Sequence, residues 1–386
     1  MLTNLTKSNS LEEAHSKGEL LINDRIMELE SEEANPQGID TVTAAAKLSK
    51  WFIAFKLNAA PNTFRSYMAA LSRYESACKH LGITWLPISA SNMCKVASYL
   101  VNDKKIGVST LRLTNTMINT IHDAAGYYKP TLNKEVQLYL KGLRRKSNRQ
   151  PKQSPALEYS AVKVIVEEYL KEGSERSIRD ACLVSVMFDG LLRRSEAADI
   201  RLEHVLERSF RLDRSMQPDK QQLPIPMPYR VNERLDGTLY IPYSKTDQDG
   251  EGQYVYLSAL SIRLISYMID KLGINESDGN SYLFRGIETS GAITESLSDQ
   301  GVYRALKRMS SVVGSKVPFM GHSCRVGGCI ELGRKNIATH EIMKAGRWTS
   351  PAMPAYYTRN ESVYKGAMAK YHKSNDAVIL TGDSRV

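Results

Sequence analysis

The feature that most constrains this chain is KGLRRKSNRQPKQSP at 141–155, a stretch no packed core can absorb. It holds six cations (Lys141, Arg144, Arg145, Lys146, Arg149, Lys152) and two prolines, with no large apolar residue after Leu143. Unpaired Lys and Arg are almost never buried, and proline removes a backbone donor and interrupts helices. The stretch therefore reads as an extended linker, and the 386 residues divide into two folding units, as length alone suggests. The expected boundaries are an acidic, flexible arm over 1–40, an amino-terminal domain over 41–145, a basic linker over 146–155 and a carboxyl-terminal domain over 156–386.

Before the linker, apolar residues recur every three to four positions across 44–57, 62–80, 91–101, 109–125 and 134–144, which predicts five helices. Pro61-Asn62-Thr63 and Ser89-Ala90-Ser91 supply residues for helix starts. After the linker, helical periodicity returns over 159–172, 177–191, 259–272 and 298–314, and again from Met320 onward. Two short strand-like runs, 238–243 and 253–258, are joined by a polar, glycine-containing connection, which predicts a small antiparallel sheet. The expected fold is mainly α: a helical bundle followed by an α-helical domain with that sheet inserted.

Charge narrows the class of function. Residues 1–40 carry three cations against nine anions, a net of −6, which leaves +16 on the rest of a chain whose total is +10. A basic body with an acidic arm is an electrostatic footprint for nucleic acid. A linker with Arg144, Arg145 and Lys146 is suited to lie along phosphates. The five cysteines are odd in number and unevenly spaced, which suits a reducing cytoplasm. No apolar run approaches the ~18–20 residues of a membrane span, so a cytoplasmic, nucleoid-associated protein with no membrane partner is expected.

The chemistry concentrates in MGHSCRVGGCIELGRKNIATHEIMKAGRWTSPAMPAYYTR, residues 320–359. His322 and Arg325, three apart, are placed to share one face of a helix that continues through 326–332. Imidazole and guanidinium can then converge on one anion. Trp348 follows Gly346, and the pair Tyr356-Tyr357 follows in turn, with Arg359 beyond. Cations, an imidazole, an indole N–H and a phenol are what a phosphodiester needs if a tyrosine is to attack it. Phosphoryl transfer needs in-line positioning and cations on the equatorial oxygens, and the planar fork of Arg binds two oxygens at once. Singly, each residue has a plainer reading: Arg193 as a surface ion pair, Tyr357 as a half-buried aromatic. Cys324 and Cys329 with one histidine lack a fourth ligand, so no metal site is expected.

The order Arg193, Lys245, His322-x-x-Arg325, Trp348, Tyr357, with its local words, resembles the tyrosine recombinase (integrase) family and its Cre-like branch. The resemblance spans about 60–372. LLRRSEAADIRL at 191–202 is similar to the segment holding the first arginine, with Glu196 at its acidic position. Ser244-Lys245-Thr246 is similar to the catalytic lysine turn, GHSCRVG at 321–327 to the second box, and EIMKAGRWT at 341–349 to the approach to the tyrosine.

That resemblance implies a site-specific recombinase built as a two-domain clamp around duplex DNA. Tyr357 attacks the scissile phosphate to give a 3′-phosphotyrosine and a 5′-hydroxyl. Arg193, Arg325, His322 and Trp348 hold the non-bridging oxygens, Lys245 protonates the leaving oxygen, and Glu196 orients the site. Register from Trp348 favours Tyr357 over Tyr356. Neither ATP nor a metal is required, and strands exchange through a Holliday junction. A homotetramer on two sites, each a pair of inverted half-sites, is implied, with the tail at 363–386 docking on a neighbour. Helices from both domains enter major grooves: Arg65, Ser109, Thr110 and Arg112 are the amino-domain candidates and Gln300 the carboxyl-domain one. Arg suits guanine and Gln suits adenine. A type IB topoisomerase or hairpin telomere resolvase shares the constellation, and an inactive DNA-binding protein is the rival from another class.

Overall fold

The chain divides between Lys152 and Gln153 into two units, of which the computed structural model describes residues 35, 38–147, 153–207, 236–243, 251–275, 281–363 and 366–372. Most of the acidic arm, linker residues 148–152, Lys245 with its flanking turn, and the tail from 373 lie outside these residues.

In the first unit the apolar spacing becomes five helices: α1 Thr41–Asn58, α2 Pro61–Leu81, α3 Ala90–Asn102, α4 Val108–Ala125 and α5 Lys134–Ser147. Asp40 caps α1 by accepting from the Thr43 amide at 2.8 Å, and Ser89 caps α3 through the Asn92 amide. Each such cap satisfies an amide that has no partner inside the helix. The expected capping role of Asn62 and Thr63 is corrected: Pro61 takes the first helical position, where its missing N–H costs nothing. Asn62 and Thr63 then lie inside the first turn, with no side-chain cap at the helix start.

Helices α1 and α2 pack on α4, and α3 packs on α5. Leu111, Met117, Ile118 and Ile121 of α4 meet Leu48, Phe52, Leu71 and Tyr74 in one buried cluster. Each fully buried side chain of this size contributes about 1.5–3 kcal/mol. His122 is buried among them, donating from Nδ1 to the Ile118 carbonyl and accepting the Ile88 amide at Nε2. Burial pushes its pKa down to about 4, so it stays neutral.

The linker expectation needs a second correction. Lys141 and Arg144 lie in the helix expected over 134–144, and that helix runs on through Arg145 and Lys146 to Ser147 as α5, with Val136, Leu140 and Leu143 buried along it. The three cations at 144–146 stand exposed in its last turn, where the helix dipole favours positive charge.

The second unit is built around α7, Glu175–Asp189, whose residues from Ser177 to Met187 are all buried. A helix enclosed on every side is an interior helix. Around it pack α6, Tyr159–Glu172, α9, Ala259–Lys271, and α11, Ser323–Arg334. The buried Asp180 is neutralised there by two cations, accepting from Arg179 and from Arg308, each at 2.6 Å. The short α8, Arg194–Ala198, packs on α10, Asp299–Val312; α12, Thr339–Gly346, and α13, Ala352–Val363, both pack on α11.

The sheet has three antiparallel strands in the order β1 Val205–Glu207, β2 Gly237–Ile241, β3 Gln253–Leu257. Its register sets Leu206 opposite Thr238 and Tyr240 opposite Tyr254. Gly237, Leu239, Ile241, Val255 and Leu257 form its buried face. Strand β1 is missing from the sequence expectations, since three residues are too few to display an alternating pattern. No helix among the described residues is long and apolar enough to cross a membrane.

Candidate active site

At the end of α7 the chain reverses through Gly190 and Leu191, and Leu191 takes the left-handed conformation at φ 45. That turn aims the Leu191 carbonyl inward and delivers Arg193 to the start of α8. Glu196, in the first turn of α8, accepts the Arg193 amide at 2.8 Å and its Nη1 at the other carboxylate oxygen. The carboxylate thus satisfies an orphan amide of the helix start and fixes the arginine above it. Burial pushes the Glu196 carboxyl up, but the Arg347 guanidinium and the Arg193 bonds outweigh this and hold it below the ordinary carboxylate value.

Helix α11 carries Arg325 into the same place. Gly327 permits the approach, because a Cβ there would stand 1.8 Å from the Leu157 carbonyl oxygen. The Leu157 amide in turn donates to Ser323 O at 3.0 Å. Arg325 is 2% exposed. Its Nη1 donates to the Leu191 carbonyl at 2.5 Å and its Nη2 to the Gly346 carbonyl at 2.7 Å. His322 lies just outside the helix as its N-cap, exposed at the surface. The pair therefore stands at one helix start, with the guanidinium buried and the imidazole outside.

Gly346 ends α12, and the indole of Trp348 folds back over it so closely that a Cβ would lie 2.0 Å from the ring. Trp348 stacks on the Arg325 guanidinium, 4.6 Å from carbon to ring centre, and sits 6.0 Å from the Tyr357 ring. Burial pushes the Tyr357 phenol up, while the charges of Arg325 and Arg193 draw it back. Tyr356 is engaged differently: the Arg359 guanidinium lies 4.1 Å over its ring.

Arg347 has no role in the sequence expectations. Its Nη2 donates to Glu196 at 2.7 Å and to the Leu191 carbonyl at 3.3 Å, and its Nη1 donates to the Gly190 carbonyl at 2.8 Å. The word Gly346-Arg347-Trp348 marks a cation at a helix end, but its buried partner is 151 residues away in sequence. Three guanidiniums and one carboxylate give the cluster a charge of +2, and cations packed together in a desolvated site favour an anion between them.

The structure thus brings together Arg193, Glu196, Arg325, Trp348 and Tyr357, with His322 at the α11 start. Lys245 lies outside the described residues, between β2 and β3. Among the described residues no group of three or more His, Cys, Asp or Glu could hold a metal. In the first unit Arg65 is exposed near the start of α2, and Ser109 and Arg112 are exposed near the start of α4, with Thr110 half-buried. Gln300 is exposed at the start of α10.

Residues 157–362 match the phage integrase family. The chain is 23% identical over 337 residues to the recombinase cre of Escherichia phage P1, covering 82% of this chain and 89% of that protein. It is 24% identical over 318 residues to an integrase/recombinase xerD homolog of Selenomonas ruminantium, covering 79% and 84%. Its fold is similar to that of the XerH site-specific recombinase bound to a palindromic difH substrate in a post-cleavage complex. The TM-score is 0.56 at 13% identity, over 90% of this chain and 93% of that one.

Proposed function

Since this chain belongs to the phage integrase family, we propose that Arg193, Arg325, His322, Trp348, Lys245 and Tyr357 are its catalytic set, with Glu196 orienting them. It is an enzyme that cleaves and rejoins DNA strands, a site-specific tyrosine recombinase. The observation that carries the residue assignment is the convergence of Arg193, Arg325 and Trp348 beside Tyr357, from three separate stretches of the second unit.

In this reading the phosphodiester enters between the guanidiniums, His322 and the indole. Tyr357 Oη forms the bond to phosphorus as its proton is released. The P–O5′ bond breaks, and Lys245 protonates the departing 5′ oxygen. The equatorial oxygens gain negative charge on the way, and the fixed cations stabilise that state more than the ground state. The phosphotyrosine keeps the bond energy, so a 5′-hydroxyl from the partner strand can reverse the attack and pass through a Holliday junction.

Arg65, Ser109, Thr110, Arg112 and Gln300 supply base and phosphate contacts, and Arg144, Arg145 and Lys146 add phosphate contacts. Four protomers act on two sites, each an inverted pair of half-sites, which fits the palindromic substrate of the XerH relative. Val363, Met368 and Tyr371 stand exposed after the tyrosine and suit docking on a neighbour, a head-to-tail contact that closes a ring. The protein works on the nucleoid in the cytoplasm.

The test is covalent trapping. A nicked duplex, carrying the sequence the wild-type protein selects from a randomised library, is mixed with it and denatured. A protein–DNA adduct with a 3′-phosphotyrosine is the expected result. Binding without an adduct overturns the recombinase reading in favour of an inactive DNA-binding protein.

A further inference from the structure

Arg347 differs in its surroundings from the two arginines assigned to the phosphate. It differs from Arg193 in burial, its side chain 1% exposed against 14%, and from the equally buried Arg325 in pairing with a carboxylate rather than with carbonyls alone. Its backbone caps α12 in the left-handed region at φ 54, a position that glycine usually takes and that strains a residue with a Cβ. The facing residue, Leu191, is also left-handed at φ 45. Non-glycine residues held this way persist only where their surroundings fix them, and they cluster at active sites.

The guanidinium makes three kinds of contact here: to the Glu196 carboxylate, to the Gly190 carbonyl and to the Leu191 carbonyl. Those contacts are turned toward the protein. Glu196 also holds Arg193, and Leu191 also holds Arg325. Arg347 therefore touches the fixed partner of each phosphate-directed arginine. Without it, Glu196 and Arg193 form a neutral pair, and the cluster falls from +2 to +1.

We propose that Arg347 is a positioning residue: it supplies the counter-charge for Glu196 and fixes the Leu191 carbonyl, leaving Arg193 and Arg325 charged and aimed at the scissile phosphate. This rests on the recombinase reading of the site. The other route to the same contacts, direct binding of phosphate by Arg347, is countered by its partners rather than by burial alone. Its terminal nitrogens are engaged by the Glu196 carboxylate and the Gly190 and Leu191 carbonyls, whereas Arg325, as deeply buried, has no carboxylate partner among these contacts and lies under Trp348 beside Tyr357. Glu196 is held below the ordinary carboxylate value partly by Arg347, which makes the pH profile a reporter of the contact.

The experiment compares wild type, Arg347→Gly, Glu196→Gln and the double variant. It measures single-turnover cleavage of the nicked selected duplex, affinity for the same duplex, and thermal unfolding. Glycine keeps the left-handed cap while removing the guanidinium. The expected result is cleavage slowed by about 10–100-fold, the range for residues that act through another, with affinity within a few-fold of wild type. The acid limb of the pH–rate profile moves upward, because Glu196 loses the cation that holds its carboxyl down. In the Glu196→Gln background, Arg347→Gly causes a smaller further loss than in wild type, since the charge it balanced is gone and only its hold on the Leu191 carbonyl remains to be lost.

Wild-type cleavage by Arg347→Gly, or losses that multiply in the double variant with no shift of the acid limb, overturn the inference. Should Arg347→Gly unfold, Arg347→Lys keeps the charge without the fork: slowed cleavage with an unmoved acid limb supports the role, and an undiminished rate overturns it. Failure of wild type itself to form an adduct sinks the recombinase reading instead, so the two failures are distinct.

Discussion

The guanidiniums of Arg325 and Arg347 share one acceptor, the carbonyl of Leu191, at 2.5 and 3.3 Å. Like charges that converge this way repel, and the repulsion is felt at Arg325. Burial, then the charges of Arg193 and Arg347, draw its pKa down to about 10, which still leaves it charged at neutral pH. In the proposed reading an incoming phosphate would relieve that crowding, and most when its own charge is greatest. A site held together by backbone carbonyls can thus keep its cations poised without a bound anion, and it needs little reorganisation when charge develops.

Arg193→Ala or Arg325→Ala lowers the rate of cleavage by at least ~100-fold, the scale of losing one preformed donor to transition-state charge. Duplex affinity falls far less, because many other cations hold the backbone. Single-turnover rates within a few-fold of wild type would remove either arginine from the site.

Tyr357→Phe abolishes the covalent adduct and leaves DNA binding nearly intact, since only the phenolic oxygen is lost. Tyr356→Phe retains the adduct, because its ring is engaged by Arg359 while Tyr357 lies against Trp348. Denaturing gels of the two variants decide it, and the opposite pattern reassigns the nucleophile.

Glu196 has a folded-state pKa below its ordinary value, so its pairing stabilises the fold above the unfolded-state pKa of about 4.3. That contribution is lost as pH falls through the folded-state value. Denaturant unfolding of wild type between about pH 5 and pH 2 should therefore lose a component that Glu196→Gln lacks. Parallel stability curves for the two proteins would show that the carboxylate is not held this way.

Two glycine substitutions should act in opposite directions. Gly327→Ala drives a methyl onto the Leu157 backbone, so it costs about 1–3 kcal/mol or more and displaces Arg325. Gly142→Ala meets open space in α5 and gains about 0.5–1 kcal/mol from helix propensity. Thermal unfolding midpoints that move the same way for both would contradict the packing at α11.

Duplex affinity falls by about 10³-fold or more between about 50 and 200 mM salt, as expected for ~6–10 neutralised phosphates. Removing Arg144, Arg145 or Lys146 lowers the slope of log affinity against log salt by about 1 each. An unchanged slope would take the last turn of α5 off the DNA.

Elements set by local periodicity were legible. Residues 159–172 have the bounds expected, and the helices at 44–57, 62–80 and 109–125 differ only by a few terminal residues. Amphipathic spacing is written into neighbouring residues, and burial follows it. Where local chemistry was ambiguous the reading slipped. Cations at 141–147 look like linker but ride on a helix whose other face is apolar, and β1 is too short to carry a pattern.

The sequence by itself determined the mainly helical architecture, the basic character and the set of residues proposed to bind and attack a phosphodiester, because these depend on side-chain chemistry and on spacing within a few residues. Tertiary structure alone decided how they meet. It buried Arg325 behind the Leu191 carbonyl, left His322 at the helix start outside it, and paired Arg347 with Glu196 across 151 positions of chain. Such contacts arise where close packing at Gly327 and two left-handed turns bring distant backbones together, and no local pattern encodes a distance between segments that far apart.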